Sequence, residues 1–251
     1  MQKEHINTEV KLIEEMSMNA HPSLNTVYYD GWYLRFAGGY TNRANSVNML
    51  NSSILSNADK IRYCEKIYTC KNLPTVFKIT PLSLDLDIAL AESDYSIVTK
   101  TNIMVMDIPQ IDTDRLSSVV TSDMNENWQS NYFRLNGLNE SSIPWAKKIH
   151  SNIINQTLCA TLSYNNEIVA CGLCVIENDY AGLYDIVVSA QHRRKGYGQD
   201  ICASLISNAT KYGAKKVYLQ VVDANKNAIK LYKKLGFIDK YQYWYRVKGL
   251  T

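Results

Sequence analysis

Apolar positions change their period repeatedly along this chain, and each change marks an element. Val10–Met18 follows helical spacing and Pro22 closes it. From Val27 the texture is strand-like: VYYDGWYLRFAGGYTNRANSVNML alternates apolar and polar residues and breaks at Gly38-Gly39, which predicts a hairpin turning there. Asn57 or Asp59 is placed to cap a helix reaching about Cys70, with Ile61, Cys64, Ile67 and Tyr68 on one face. Thr75–Thr80 reads as strand, Leu84–Glu92 as helix and Ser96–Ile108 as strand, and Pro109 ends the segment.

After Pro109 the pattern restarts. IDTDRLSSVV reads as a linker entering a helix, and Ser141-Ser142-Ile143-Pro144 as the cap and first turn of another that reaches Ile154. Leu158–Tyr164 and Ile168–Glu177 form a hairpin about Asn165-Asn166, since asparagine tolerates positive φ. Tyr180–Val188 is the next strand. Ile201, Cys202, Leu205, Ile206 and Ala209 make a helical stripe that Gly213 stops. Lys216–Val222 is strand, Asn225 caps a helix ended by Gly236, and Tyr241–Val247 is a last strand. The order predicts an α+β layer structure.

Length and charge narrow the class. At 251 residues the chain can form two modest domains, each with a core. Lys+Arg 27 against Asp+Glu 24 leaves a net charge of +3, too small a field to suggest a nucleic-acid partner. The amino terminus lacks a signal-peptide pattern, and no run of about 18 apolar residues occurs, so a soluble cytoplasmic chain with no membrane partner is expected. Cys171 and Cys174 match C-x-x-C, but in a strand-like run an i,i+3 pair points to opposite faces, and no second pair completes a metal site. No metal is expected.

The candidate chemistry lies in Leu183–Tyr212. A strand there runs into Arg193-Arg194-Lys195-Gly196-Tyr197-Gly198 and then an amphipathic helix. Two glycines allow close backbone approach, three cations can neutralise phosphates, and the helix start presents free amides. There is no Gly-Lys-Ser/Thr for a P-loop and no third glycine for a dinucleotide fingerprint, whose site is Ile201. Alone, the turn reads equally well as a basic entry to a surface helix.

It does not stand alone. Strand Leu183–Val188, R-x-x-G-x-G at Arg193–Gly198, and Asn225 followed by Ala228, Leu231-Tyr232 and Leu235-Gly236-Phe237 together resemble the GNAT superfamily of acyl-CoA-dependent N-acyltransferases over roughly Ser142–Val247. The resemblance implies a mixed, mostly antiparallel sheet with a splayed strand at the cofactor site and flanking helices. It implies acetyl-CoA as acyl donor and a small-molecule or peptide amine as acceptor. Ile186, Val187 and Val188 would offer backbone groups to the pantetheine arm. Arg193, Arg194, Lys195, Gly196, Tyr197, Gly198 and Gln199 would wrap the pyrophosphate, Asn225 would orient the arm, and Tyr232 would protonate the departing thiolate.

One departure concerns the base. Where ribosomal-protein acetyltransferases of the superfamily carry a glutamate, this chain has Gln220, which accepts no proton at neutral pH. Either a water relay or another group deprotonates the amine, or the amine arrives partly neutral. Asp185, Tyr184 and Asp223 are candidates, each with an equally good structural reading, whereas His192 reads as a surface residue near phosphate rather than a base. Two rival functions stay open: a non-catalytic acyl-CoA sensor or scaffold, and a transferase for longer acyl groups. Monomer and homodimer both stay open too.

A shift of about 142 residues lays Thr75–Thr80 on Val217–Val222, Leu86–Tyr95 on Ala228–Phe237, and the Val27 hairpin on the strands from Val169. At that offset Gly196 and Gly198 fall on Ile54 and Ser56, Arg193 on Asn51, and Tyr232 on Leu90. The reading is a tandem: residues 1–112 a degenerate GNAT-like unit, or another α+β unit, and residues 113–251 the catalytic domain. Trp32, Arg35 and Arg43 in the first half are candidates to face substrate.

Overall fold

The computed structural model describes residues 2–109 and 116–249. Helix α1 (Gln2–Ala20) is longer than the periodicity predicted. It leads to β1 (Asn25–Tyr29) and β2 (Trp32–Phe36), an antiparallel hairpin. The hairpin turns at Asp30-Gly31 rather than at Gly38-Gly39. Both residues of this pair have positive φ, 41° and 79°, the geometry of the tight turns that an Asp-Gly pair favours. Gly38-Gly39 instead redirects the chain through a 3-10 turn (Asn42–Ala44) into β3 (Val47–Met49), which adds to β2.

Helix α2 (Asn57–Thr69) is capped by Ser56, not by Asn57 or Asp59: the Ser56 hydroxyl accepts from the Asp59 amide. Then follow β4 (Thr75–Ile79), α3 (Leu84–Glu92) and β5 (Ser96–Asp107). Residues 110–115, which hold the expected linker and the boundary at 112, lie outside the described residues. Beyond them stands a short strand, β6 (Val119–Thr121), where the helix was expected; helix α4 (Glu126–Asn136) starts only after Asn125, whose side chain accepts from the Trp128 amide. The rest is α5 (Ile143–Ser151), β7 (Gln156–Tyr164), β8 (Glu167–Glu177), β9 (Tyr180–Val188), α6 (Tyr197–Thr210), β10 (Lys216–Val222), α7 (Lys226–Leu235) and β11 (Ile238–Lys248). Cys171 and Cys174 are buried and free, and they join different core clusters, as expected of i,i+3 positions on a strand.

All strands join one 11-stranded sheet in the order β1-β2-β3-β4-β11-β5-β10-β9-β8-β7-β6. Its two parallel contacts among the described residues, β3 with β4 and β9 with β10, occupy matching places in the two halves. The last strand of each half crosses over: β11 pairs with β4, β5 pairs with β10, and β5 and β11 pair at the centre. The halves are therefore interlocked. Ile103 and Met104 of β5 are fully buried under the second half, each worth roughly 1.5–3 kcal/mol of burial.

Candidate active site

Strand β9 pairs with β10 only through Leu183 and Leu219, while β9 continues along β8 to Val188 and β10 continues along β5 to Val222. From Tyr184 and Gln220 onward the neighbours diverge, so each strand leaves one edge of backbone groups without a ladder partner. A cavity of about 500 Å³ fills the divergence, lined among others by Ile186, Val187, Gln220, Asn225 and Tyr232. The expected cofactor strand and the expected acid thus border one space. On β9 the ladder to β8 is bulged opposite Gly172, and there Asp185 takes φ 54°, which turns its carboxylate into the same cavity.

The basic turn follows Val188 after Ser189 and a 3-10 turn (Ala190–His192). Gly196 caps α6 at φ 89°, a conformation glycine adopts without Cβ strain. The first backbone hydrogen bonds of the helix run from Gln199 and Asp200 to the Gly196 carbonyl, so the Gly196, Tyr197 and Gly198 amides precede them. A Cβ on Gly198 would stand 3.2 Å from Leu231 and 3.6 Å from Val188, which marks where turn, β9 and α7 converge. Arg193, Arg194 and Lys195 are exposed. Lys195, Gly196, Tyr197 and Gln199 also border a second cavity, of about 610 Å³, on the flank facing Leu116.

Tyr232 is 8 % exposed, and among the described residues its hydroxyl has no hydrogen-bond partner. Burial, and secondarily the nearby Cys202 thiol, push its pKa above the ordinary tyrosine value, so the phenol keeps its proton at neutral pH. Asn225 caps α7 by accepting from the Ala228 amide and faces the cavity too. Gln220 is held by the Tyr243 hydroxyl, which donates to its Oε1 at 2.7 Å.

Asp185 differs from the other alternative bases. The Tyr132 hydroxyl donates to its Oδ1 at 2.9 Å, and His150 Nε2 lies 3.3 Å from its Oδ2. Burial alone would raise its pKa, but the His150 hydrogen bond and charge, with the Arg43 charge, outweigh it and hold it at about 2. Tyr184 bonds the Tyr218 hydroxyl inside the core, Asp223 pairs with Lys226 at the surface, and His192 bonds Ser189. Tyr132 and His150 escaped the sequence reading because α4 and α5 carry no motif; Trp128 and Tyr132, at i,i+4, were the only trace.

Of the first-half candidates, Arg43 lines the cavity. Trp32 and Arg35 do not: Trp32 is fully buried against Phe77, and the Arg35 guanidinium donates to the carbonyls of Met18, His21 and Arg43. His21 is buried nearby, and burial, then the Arg43 charge, lower its pKa well below 6.5. An unfolded His21 binds a proton below about pH 6.5 and the folded one does not, so this group's stabilisation is complete above that pH and declines on acidification, by up to about 1.4 kcal/mol per pH unit. Urea unfolding at pH 7.5 and 5.5 should show the decline, and His21→Gln should flatten it.

Ahead of α2 the first half carries neither the glycines nor the cations of the basic turn. Ile54, which aligns with Gly196, and Leu55 donate their amides to the Asp30 carboxylate at 2.9–3.1 Å, just ahead of α2. These bonds lower the Asp30 pKa. Both amides lie ahead of the Ser56 cap, so the Asp30 carboxylate fastens the chain entering α2 while the Ser56 hydroxyl takes an amide of the helix itself.

A diverging parallel pair, a glycine turn entering a helix beneath it and a tyrosine on the next helix define a GNAT-type N-acetyltransferase. A family model described as the C-terminal region of the probable histone acetyltransferase Rv0428c matches residues 7–246, and the chain belongs to that family. It is 30% identical over 259 residues to the uncharacterized N-acetyltransferase YobR of Bacillus subtilis (strain 168), over 96% of this chain and 99% of that protein. A GCN5-related N-acetyltransferase from Kribbella flavida shares the fold at a TM-score of 0.70 and 12% identity, over 95% of each chain. A tandem GNAT protein from the clavulanic acid biosynthesis pathway does so at 0.62 and 11%, over 95% of this chain and 88% of that one. The chain is therefore an acyltransferase of the GNAT type. Among the described residues no helix is long and apolar enough to cross a membrane.

Proposed function

We propose that the protein transfers an acetyl group from acetyl-CoA to a primary amine by direct attack. The single observation that carries this is the unpartnered Tyr232 hydroxyl in the cavity where β9 and β10 part. The free edge at Ile186–Val188 suits an extended amide-bearing arm, and the amides of Gly196–Gly198 with the cations of Arg193–Lys195 suit a pyrophosphate. Acetyl-CoA supplies an activated thioester carbonyl. Tyr232 holds the proton for the leaving sulfur, and the walls of the cavity hold amine and carbonyl together.

Asp185 serves this reaction as a fixed hydrogen-bond acceptor and counter-ion for the amine. A carboxyl held at about 2 is too weak a base to retain an ammonium proton, so the proton that nitrogen loses passes to solvent. Residues 1–112 form the degenerate unit and residues 113–251 the catalytic one. An acceptor screen read by CoA release tests the activity.

Gly198→Asp tests the cofactor site. The new Cβ meets only the flexible end of Leu231 and a methyl of Val188, so the fold should survive. A carboxylate at this helix start opposes a phosphate, and acetyl-CoA affinity should fall by at least about tenfold in calorimetry. Unchanged affinity would move the pyrophosphate elsewhere.

A further inference from the structure

We propose that the acceptor is a small zwitterion, an amine with a carboxylate close to its nitrogen as in a free amino acid, and that Arg43 binds the carboxylate. The proposal rests on the acetyl-transfer reading and names its acceptor class. Arg43 comes from the 3-10 turn Asn42–Ala44 of the first half and is half-buried in the cavity wall. Among the described residues its guanidinium has neither a hydrogen bond nor an ion pair; only its backbone carbonyl is engaged, by Arg35. Arg35 shows the contrast, with its donors committed to three carbonyls. A guanidinium carries five donors in a planar fork that matches a carboxylate, and leaving them without acceptors in a partly desolvated wall is costly.

The surroundings locate the charge Arg43 is set to meet. Asp185, Tyr132, Tyr243 and Tyr245 face it electrostatically, and of these Asp185 is the anion. Asp185 already takes Tyr132 on one oxygen and lies against His150 with the other, and it makes no direct ion pair with Arg43. Among the described residues the cavity thus offers an ionised acceptor, Asp185, and a cation, Arg43, whose donors are unused. An amine hydrogen-bonded to Asp185 and a carboxylate on Arg43 complement both.

The phosphates of the donor are not the missing partner. Asp185 is the second residue after the last β9–β10 pair, at the closed end of the divergence, whereas the basic turn follows Val188. Ser189 and the 3-10 turn Ala190–His192 intervene, and Arg193 Nε reaches back only to the Val188 carbonyl, three strand residues, roughly 10 Å, beyond Asp185. The amino-terminal half thereby contributes Arg43 to the acceptor end of the site.

The test compares free amino acids (glycine, L-alanine, L-lysine, β-alanine) with their amides as acceptors, read by CoA release from acetyl-CoA. The acids should exceed their amides in kcat/KM by at least about 30-fold, the loss expected when a charge-assisted fork has no carboxylate to bind. Arg43→Gln should collapse that ratio to within about threefold while the acetyl-CoA KM stays unchanged, and Arg43→Lys should restore part of it. Amides or peptide amino termini reacting as well as the acids would overturn this proposal and leave acetyl transfer standing. A ratio that survives Arg43→Gln would remove Arg43 from it. Acetyl-CoA binding without CoA release to any amine would overturn both readings together.

Discussion

Tyr232→Phe should bind acetyl-CoA as tightly as the native protein while its kcat falls by a factor on the order of 10–1000, the usual yield of a positioned general acid. The substitution deletes one oxygen that has no hydrogen-bond partner among the described residues, and the ring keeps its edge-on contact with Phe237 at 5.9 Å. Folding should therefore be undisturbed. Because burial raises the Tyr232 pKa, the native enzyme should show no loss of rate from its deprotonation through neutral and mildly alkaline pH. An unaltered kcat in Tyr232→Phe would take the residue out of the mechanism.

The second large effect concerns Asp185. Asp185→Ala removes the anion from a buried cluster and leaves the Tyr132 hydroxyl and His150 without their acceptor, so about 3–5 kcal/mol of stability should disappear. For a chain of this size that is a fall in Tm of roughly 6–20 °C. Alanine also tolerates the left-handed backbone at φ 54° poorly, whereas asparagine accepts it and can still take the Tyr132 hydrogen bond. Asp185→Asn should accordingly melt well above Asp185→Ala, yet still lose activity because its amide cannot act as counter-ion to the amine. Scanning calorimetry beside a CoA-release assay measures both. A Tm within about 2 °C of native for Asp185→Ala would mean that the cluster is solvated, as exposed pairs are.

Local pattern and tertiary constraint divide what the amino-acid order revealed. Strand β9 was legible to its end residues because Tyr180–Val188, apolar but for Asp185, lies between an Asn-Asp turn and a basic loop. The α7 start was legible too, since Asn225 caps by a local bond three residues on. The first hairpin misled: Gly38-Gly39 and Asp30-Gly31 are both turn signals, and only pairing of Val27 with Leu34 selects the latter. Strand β6 and helix α4 lie in a stretch rich in Ser, Asn and Asp, where capping chemistry outweighs periodicity. The exchange of β5 and β11 was out of reach, because strands with one pattern can pair in either half and only the assembled sheet distinguishes them.

The candidate site divides the same way. The turn Arg193–Gly198, Asn225 and Tyr232 form one spaced motif and were named from it, and Ile186–Val188 came with the strand. The acceptor end could not be read so. Arg43, Tyr132, His150 and Asp185 come from four separate elements, and nothing in their spacing links them. What unites them is the bulge that turns Asp185 inward and the crossover that seats the first half against β9 and β10.

Under the proposed function one acetyl-CoA binds per chain, at the β9–β10 divergence. Titration calorimetry with acetyl-CoA tests it most directly. One equivalent per chain is expected, with affinity lost in Gly198→Asp and retained in Arg43→Gln. Two equivalents per chain, or one that Gly198→Asp leaves intact, would contradict it.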